Sequence, residues 1–90
     1  MKVAKKDGSK VELDEGKLWD SLYYPAREVD YGKERAVEIA DRAKHQVMEF
    51  IHEHEDNVVT TTEIAEKAQE ALEDVDEHVR IMYEKHLDIN

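Results

Sequence analysis

Three clusters in this 90-residue sequence carry side chains able to do chemistry. Thr60-Thr61-Thr62-Glu63 places hydroxyls where the sequence marks a helix start. Hydroxyls and free backbone N–H groups at a helix N-terminus form an anion site, reinforced by the helix dipole. One threonine suffices for an ordinary N-cap, and three leave at least one hydroxyl for a ligand. Strand character just before the helix explains the run equally well. Lys5-Lys6-Asp7-Gly8 sets two lysines beside a tight turn, where mobile point charges can reach phosphates. Lys5 and Lys6 face opposite sides of an extended strand, so at most one shares a face with Val3 and Val11. Taken alone, lysines on a strand edge that deter strand-to-strand association are the simpler reading. His45, Glu49 and His52, at steps of four and three, can share one helix face and supply part of a zinc or nickel site. The same spacing arises readily by chance in a chain rich in Glu and His, and no metal is assigned.

Catalysis finds no support. There is no GxxxxGK[ST] phosphate loop and no nucleophile elbow, and Gly8, Gly16 and Gly32 are too far apart for GxGxxG. Ser9 and Ser21 stand in no recognisable triad setting. The reading is of a protein without an active site of its own.

Short elements must position the candidate residues. The first thirteen residues alternate, with Val3, Val11 and Leu13 on one face. Asp7-Gly8 signals a two-residue type I′ turn between strands at roughly Lys2–Lys6 and Ser9–Leu13. Asp14 caps a first helix, and Pro25 is expected to end it near Tyr24 because the residue before proline is pushed out of the α region. Leu18 and Leu22, with Trp19 and Tyr23, form its inward face. After Asp30-Tyr31-Gly32, the stripe Ala36, Ile39, Ala40, Ala43, Val47, Phe50 and Ile51 marks a longer helix reaching about His54. A charged stop over Glu53–Asn57 follows. Val58-Val59 is too short for an independent strand but can add to the hairpin's edge. Thr60 and Glu63 match a capping box. The helix they open carries Ile64, Ala68, Ala71, Leu72 and Val75. Asp74–Glu77 interrupts the pattern, and Val79, Met82 and Tyr83 continue it in a last helix to about Leu87. The fold class is α+β, an N-terminal hairpin with a short third strand capping a four-helix bundle.

Ninety residues make one domain, 1–90. Without cysteine, disulfides and thiolate metal sites are excluded. No stretch approaches a signal h-region or a membrane span, so the expectation is a soluble, cytoplasmic protein. The net charge of -10 disfavours direct contact with nucleic acid or anionic lipid. Residues 1–17 nevertheless carry five lysines against four acids, leaving the rest of the chain with a net charge of -11. A near-neutral, lysine-rich segment on an acidic protein is a place to receive a small anion.

Together, Val3-x-Lys5-Lys6-Asp7-Gly8-Ser9, Leu13-Asp14-x-x-Lys17-Leu18 and Val59-Thr60-Thr61-x-Glu63-Ile64 resemble the ATP cone family. That domain opens with a V-x-K-R-D-G hairpin, continues with an apolar-Asp-x-x-Lys-apolar helix start, and begins its third helix with a Thr-Thr pair. Ile81–Lys85 is similar to its closing helix, and the resemblance covers nearly the whole chain. Members occur in ribonucleotide reductase large subunits, in the bacterial repressor of reductase genes, and occasionally alone, as this chain is expected to. The resemblance implies a small sheet capping a four-helix bundle, with ATP or dATP bound as a regulatory ligand and not as a catalytic cofactor. It implies action through a homo-oligomer or a regulated enzyme or repressor partner.

By position, the resemblance implies that Val3, Lys5, Lys6 and Lys17 contact nucleotide, with the lysines near the phosphates. Thr61 matches a threonine of the same site with Thr60 beside it, and Leu13, Asp14 and Leu18 fall around the base. Three positions depart from the pattern. Lys6 stands where Arg is commoner, Ala65 where some reductases have His or Asp, and Glu84 where Arg is common. The alternative these departures support is a degenerate cone, a protein-interaction module without nucleotide binding.

Overall fold

A computed structural model describes residues 2–54 and 58–89, with side chains described through residue 85. The chain runs β1 (Lys2–Ala4), β2 (Lys10–Glu12), α1 (Glu15–Glu28), α2 (Lys33–His52), β3 (Val58–Thr60), α3 (Thr61–Val75) and α4 (Glu77–Ile89). This is the expected α+β order, and β3 does add to the hairpin's edge. The part of the charged stop at 55–57 lies outside the described residues.

The hairpin is shorter than the alternation suggests, and its turn is of another kind. Lys5 N–H donates to the Ser9 carbonyl at 2.8 Å, and Gly8 N–H donates to the Lys5 carbonyl at 3.0 Å. The loop is therefore three residues, Lys6-Asp7-Gly8, with positive φ at Gly8 (91°) but not at Asp7. That is a type I turn closed by a left-handed glycine, not a two-residue type I′ turn. Asp7 favours it by local bonding: its Oδ1 accepts from the Ser9 N–H at 2.9 Å and from the Ser9 hydroxyl at 2.6 Å. An aspartate that satisfies the chain two residues ahead has no need of a left-handed backbone.

The sheet order is β2-β1-β3, with β1 antiparallel to β2 and parallel to β3. Val3 pairs with Val11 on one side and Val59 on the other, so the three valines form one cross-strand row. Val3 and Val59 enter the core, whereas Val11 at the edge stays 39% exposed. Below the sheet, α1, α2, α3 and α4 pack in sequence, and α4 closes against α1. Leu22, Ala36, Ile39, Ala40, Ala43, Val47, Ile51, Ala68, Ala71, Leu72 and Val79 are fully buried. The stripes read from the sequence therefore do face one another.

Asp14 caps α1 as expected, accepting the Lys17 N–H at 3.1 Å. Pro25 does not end that helix, which continues to Glu28. A proline inside a helix removes one backbone bond and crowds the preceding turn, at roughly 3 kcal/mol. Here the continuation buries Pro25 and Ala26 and brings Val29 against the core, which offsets that cost. Tertiary burial has overridden the local stop signal. The link to α2 instead needs Asp30 at φ 67° and Gly32 at φ 85°, ψ 164°; only glycine adopts the latter without strain.

Polar cross-links fix the helices. Trp19 Nε1 donates to Asp41 at 2.8 Å while its ring stacks on Tyr23, 4.7 Å between centroids. Gln46 donates to Asp74 at 3.1 Å, and Lys44 meets Glu15 at 3.3 Å. Among the described residues, no helix is long and apolar enough to cross a membrane.

Candidate nucleotide site

A cleft of about 390 Å³ opens between the hairpin, the start of α1 and the start of α3. Its wall takes Val3 and Lys5 from β1 and its turn, Val11 and Glu12 from β2, and Leu13, Asp14, Lys17, Leu18 and Ser21 from the entry into α1. Thr61 and Ile64 of α3 complete it. The volume lies at the lower end of the roughly 300–1,000 Å³ range of small-molecule pockets. That is room for a heterocycle and sugar, with a charged tail reaching toward solvent.

Each residue arrives for a local reason. Lys5 lies two positions beyond Val3, so the strand's alternation puts both on the cleft face. The Asp14 cap fixes the first turn of α1, and Lys17, Leu18 and Ser21 then share a side at three- and four-residue steps. Parallel pairing of β3 with β1 brings the start of α3 beside the hairpin, which delivers Thr61.

The start of α3 divides its work between neighbouring threonines. Thr60 Oγ1 accepts the Glu63 N–H at 3.0 Å, and Glu63 Oε1 accepts the Thr60 N–H at 3.0 Å, the reciprocal box expected from the sequence. With the cap supplied by Thr60, the Thr61 hydroxyl has no intramolecular hydrogen bond among the described residues. Hydrogen bonding holds the Glu63 carboxyl below the usual range, first through the Thr60 backbone N–H and then through the His54 ring and the Thr60 hydroxyl.

The cleft's charges fall into two kinds. Its acids are engaged: Glu12 pairs with Lys2 at 2.7 Å, and Asp14 is the α1 cap. The hydrogen bond and charge of Lys2 hold the Glu12 carboxyl below its ordinary value. Its cations, Lys5 and Lys17, make no ion pair among the described residues. Among the described residues the cleft therefore offers two ammonium groups outside any ion pair, Lys5 within electrostatic reach of Asp7, and the Thr61 hydroxyl, beside apolar Val3, Val11, Leu13, Leu18 and Ile64. Such a surface suits an amphiphilic anion with a flat apolar part.

Of the candidates singled out in the sequence, Val3, Lys5, Leu13, Asp14, Lys17, Leu18 and Thr61 are gathered here. Lys6 stands in the turn and Thr60 at the cap, neither on the cleft wall. Val11, Glu12, Ser21 and Ile64 line it without having been singled out. Val11 is signalled by its place opposite Val3, and Ile64 by lying one turn beyond Thr61. Glu12 and Ser21 carry no sequence signal that separates them from other exposed polar residues.

Two other depressions are chemically different. One of about 340 Å³ is lined by Asp41, Arg42, His45 and Gln46 of α2, and one of about 370 Å³ by Gln46, Glu70, Glu73 and Asp74. The acidic lining of the second repels phosphate. His45 Nε2 meets Glu49 at 3.0 Å, and among the described residues no three His, Asp or Glu side chains are grouped to hold a metal.

The family model of the ATP cone domain matches residues 1–86 of the 90. No curated protein matches the chain. A match over nearly the full length, in the element order described above, places the sequence: the chain belongs to the ATP cone domain family.

Proposed function

We propose that this protein binds ATP or dATP in the cleft between the hairpin, α1 and α3, and works as a nucleotide-sensing regulatory domain with no chemistry of its own. The observation that carries the reading is that Lys5 and Lys17, neither in an ion pair among the described residues, line the same cleft as Thr61 and a set of apolar side chains. The base and sugar sit on Val3, Val11, Leu13, Leu18 and Ile64. The Asp14 and Glu12 carboxylates are placed to accept from the ribose hydroxyls or the adenine amino group. The phosphates meet Lys5, Lys17 and the N-terminus of α3, where the Thr61 and Thr62 N–H groups have no partner inside the helix. Lys6, in the adjoining turn, adds its charge from outside the wall. Nucleotide binding is then transmitted to a second copy or to a regulated enzyme or repressor, which requires different affinity for two assembly states.

Calorimetric titration with ATP and dATP, run beside light scattering, tests this. Micromolar binding that changes the particle size supports a nucleotide-controlled assembly switch. No heat at millimolar nucleotide overturns it in favour of a cone kept as a protein-interaction module. One observation favours that second reading: Glu84, where the family commonly has Arg, is engaged by Arg80 at 3.1 Å.

A further inference from the structure

His54 lies outside the cleft, just beyond the C-terminus of α2, yet it touches the residue that organises the cleft's α3 end. Its Nε2 is 2.9 Å from Glu63 Oε2, and its Nδ1 is 3.3 Å from the Phe50 carbonyl oxygen. Its ring stands nearly perpendicular to Phe50, 4.7 Å between centroids, and only about a fifth of the side chain's surface is exposed. The same Glu63 carboxylate uses its other oxygen to hold the Thr60 N–H. His54, Glu63 and Thr60 thus form one chain from the end of α2 to the residue before Thr61.

Both of these ring contacts are to acceptors. A backbone carbonyl cannot donate, and the Glu63 carboxyl is held in its ionised form. A neutral imidazole has one N–H and satisfies one of the two; only the imidazolium satisfies both. The carbonyl end of α2 adds a second attraction for positive charge. Among the described residues, the groups facing the ring are Glu63 from α3, the Phe50 carbonyl and ring from α2, and the Lys67 ammonium, 5.9 Å from the Phe50 centroid. Lys67 opposes the cation, but its charge is shared with Glu70 at 3.5 Å. Glu55 and Asp56 lie outside the described residues.

We infer that His54, as an imidazolium, is a positioning residue for the nucleotide cleft, and that its protonation makes nucleotide affinity fall as pH rises. The inference rests on the nucleotide reading above. With His54 charged, the His54–Glu63 pair is neutral and the cap before Thr61 is clamped. With His54 neutral, one ring contact is lost and an uncompensated carboxylate stands two residues from Thr61, at the helix end that receives the phosphates. Both consequences weaken anion binding.

Two measurements separate the parts. Nitrogen NMR of the His54 ring in the unliganded chain, followed from about pH 5 to about pH 9, reads the clamp without any mutation. Two protonated ring nitrogens at neutral pH are expected, and a single neutral tautomer there overturns the inference. ATP titrations of wild type and His54→Gln at about pH 6.5 and about pH 8.5 read the coupling. Glutamine keeps an amide donor for Glu63 but cannot titrate, and the phosphates' own ionisation is common to both proteins. Wild-type affinity is expected to fall about two- to fivefold more than that of the variant, the scale of one charge at a helix terminus. Parallel profiles overturn the coupling. Absence of binding to either protein at both pH values ends the nucleotide reading and the coupling together, while the ring's protonation still decides the clamp.

Discussion

Neighbouring threonines at the start of α3 should give opposite phenotypes. Thr60 supplies the cap, with its Oγ1 3.0 Å from the Glu63 N–H, whereas the Thr61 hydroxyl lines the cleft without an internal partner. Thr60→Ala removes the threonine half of the capping box and leaves the half in which Glu63 accepts the Thr60 N–H. Losing a threonine cap costs about 0.5–2 kcal/mol, and with half the box surviving about 1 kcal/mol is expected. For a domain of this size that is a fall in Tm of roughly 4–8 °C. Thr61→Ala removes no intramolecular bond and places a better helix former at the first helical position, so stability should stay within about 0.5 kcal/mol. Its cost appears in binding: one hydrogen bond to a phosphate oxygen, at about 1.5 kcal/mol, is roughly tenfold in affinity. Calorimetric melts give the first quantity and ATP titration the second, on the same two samples. If Thr61→Ala melts as low as Thr60→Ala and binds ATP normally, the division of labour is refuted. The cleft would then lose the hydroxyl that links it to α3.

Other perturbations probe the remaining parts of the argument. Lys5→Ala and Lys17→Ala should each weaken ATP binding about fivefold, the upper range for an exposed charge contact, with unchanged circular dichroism. The double variant should also show a shallower salt dependence, and normal affinity in it would end the site assignment. Leu22→Ala, at a fully buried position, should cost about 2–5 kcal/mol in urea unfolding; a loss under about 1 kcal/mol would show that α1 does not pack as described. The Glu63 carboxyl is depressed in the folded state, so the unfolded chain takes up its proton first as pH falls. Its contribution to stability is therefore present above its ordinary value of 4.5 and lost as pH falls through the lower folded value. Glu63→Gln should flatten the acid limb of a stability–pH profile in that window, and an unchanged limb would contradict the assignment.

What was legible in the sequence was local. The Asp14 cap and the Thr60–Glu63 box lie within one helical turn, the apolar stripes of α2 and α3 repeat at three- and four-residue steps, and each is found as read. That Val58-Val59 could add to the hairpin's edge was also legible, but which of its two strands it joins was not. The misreadings came where distant packing or a side-chain bond outweighed a backbone rule. Pro25 has a strong stop signature, yet burial of Pro25, Ala26 and Val29 against helices far along the chain carries α1 past it. Asp7-Gly8 suggests a two-residue turn, yet the Asp7–Ser9 bonds draw Lys6 into a three-residue loop. Lys6 is off the cleft wall in either turn, because Lys5 already takes the face shared with Val3. His54 gave no usable signal, since its partner Glu63 already had an explanation as a cap.

The construction of the cleft explains how a ligand without chemistry could still have consequences. The hairpin contributes only Val3 to the buried core, and β2 is exposed along its whole length. The sheet is tied to the bundle mainly through Val3, Val59 and the passage of β3 into α3. By contrast, the four helices share a continuous core, so the hairpin is the less firmly held of the two layers. The cleft lies along the seam between them, with Lys5 and Val11 on one side and Lys17, Leu18, Thr61 and Ile64 on the other. An anion bridging Lys5 to Lys17 and Thr61 adds attraction across that seam, where the protein itself supplies little. Its binding energy therefore falls on the angle and order of the hairpin more than on the bundle. On the proposed reading, any partner surface that includes the hairpin is coupled to nucleotide, with a strength limited to the difference in nucleotide affinity between the partnered and free states.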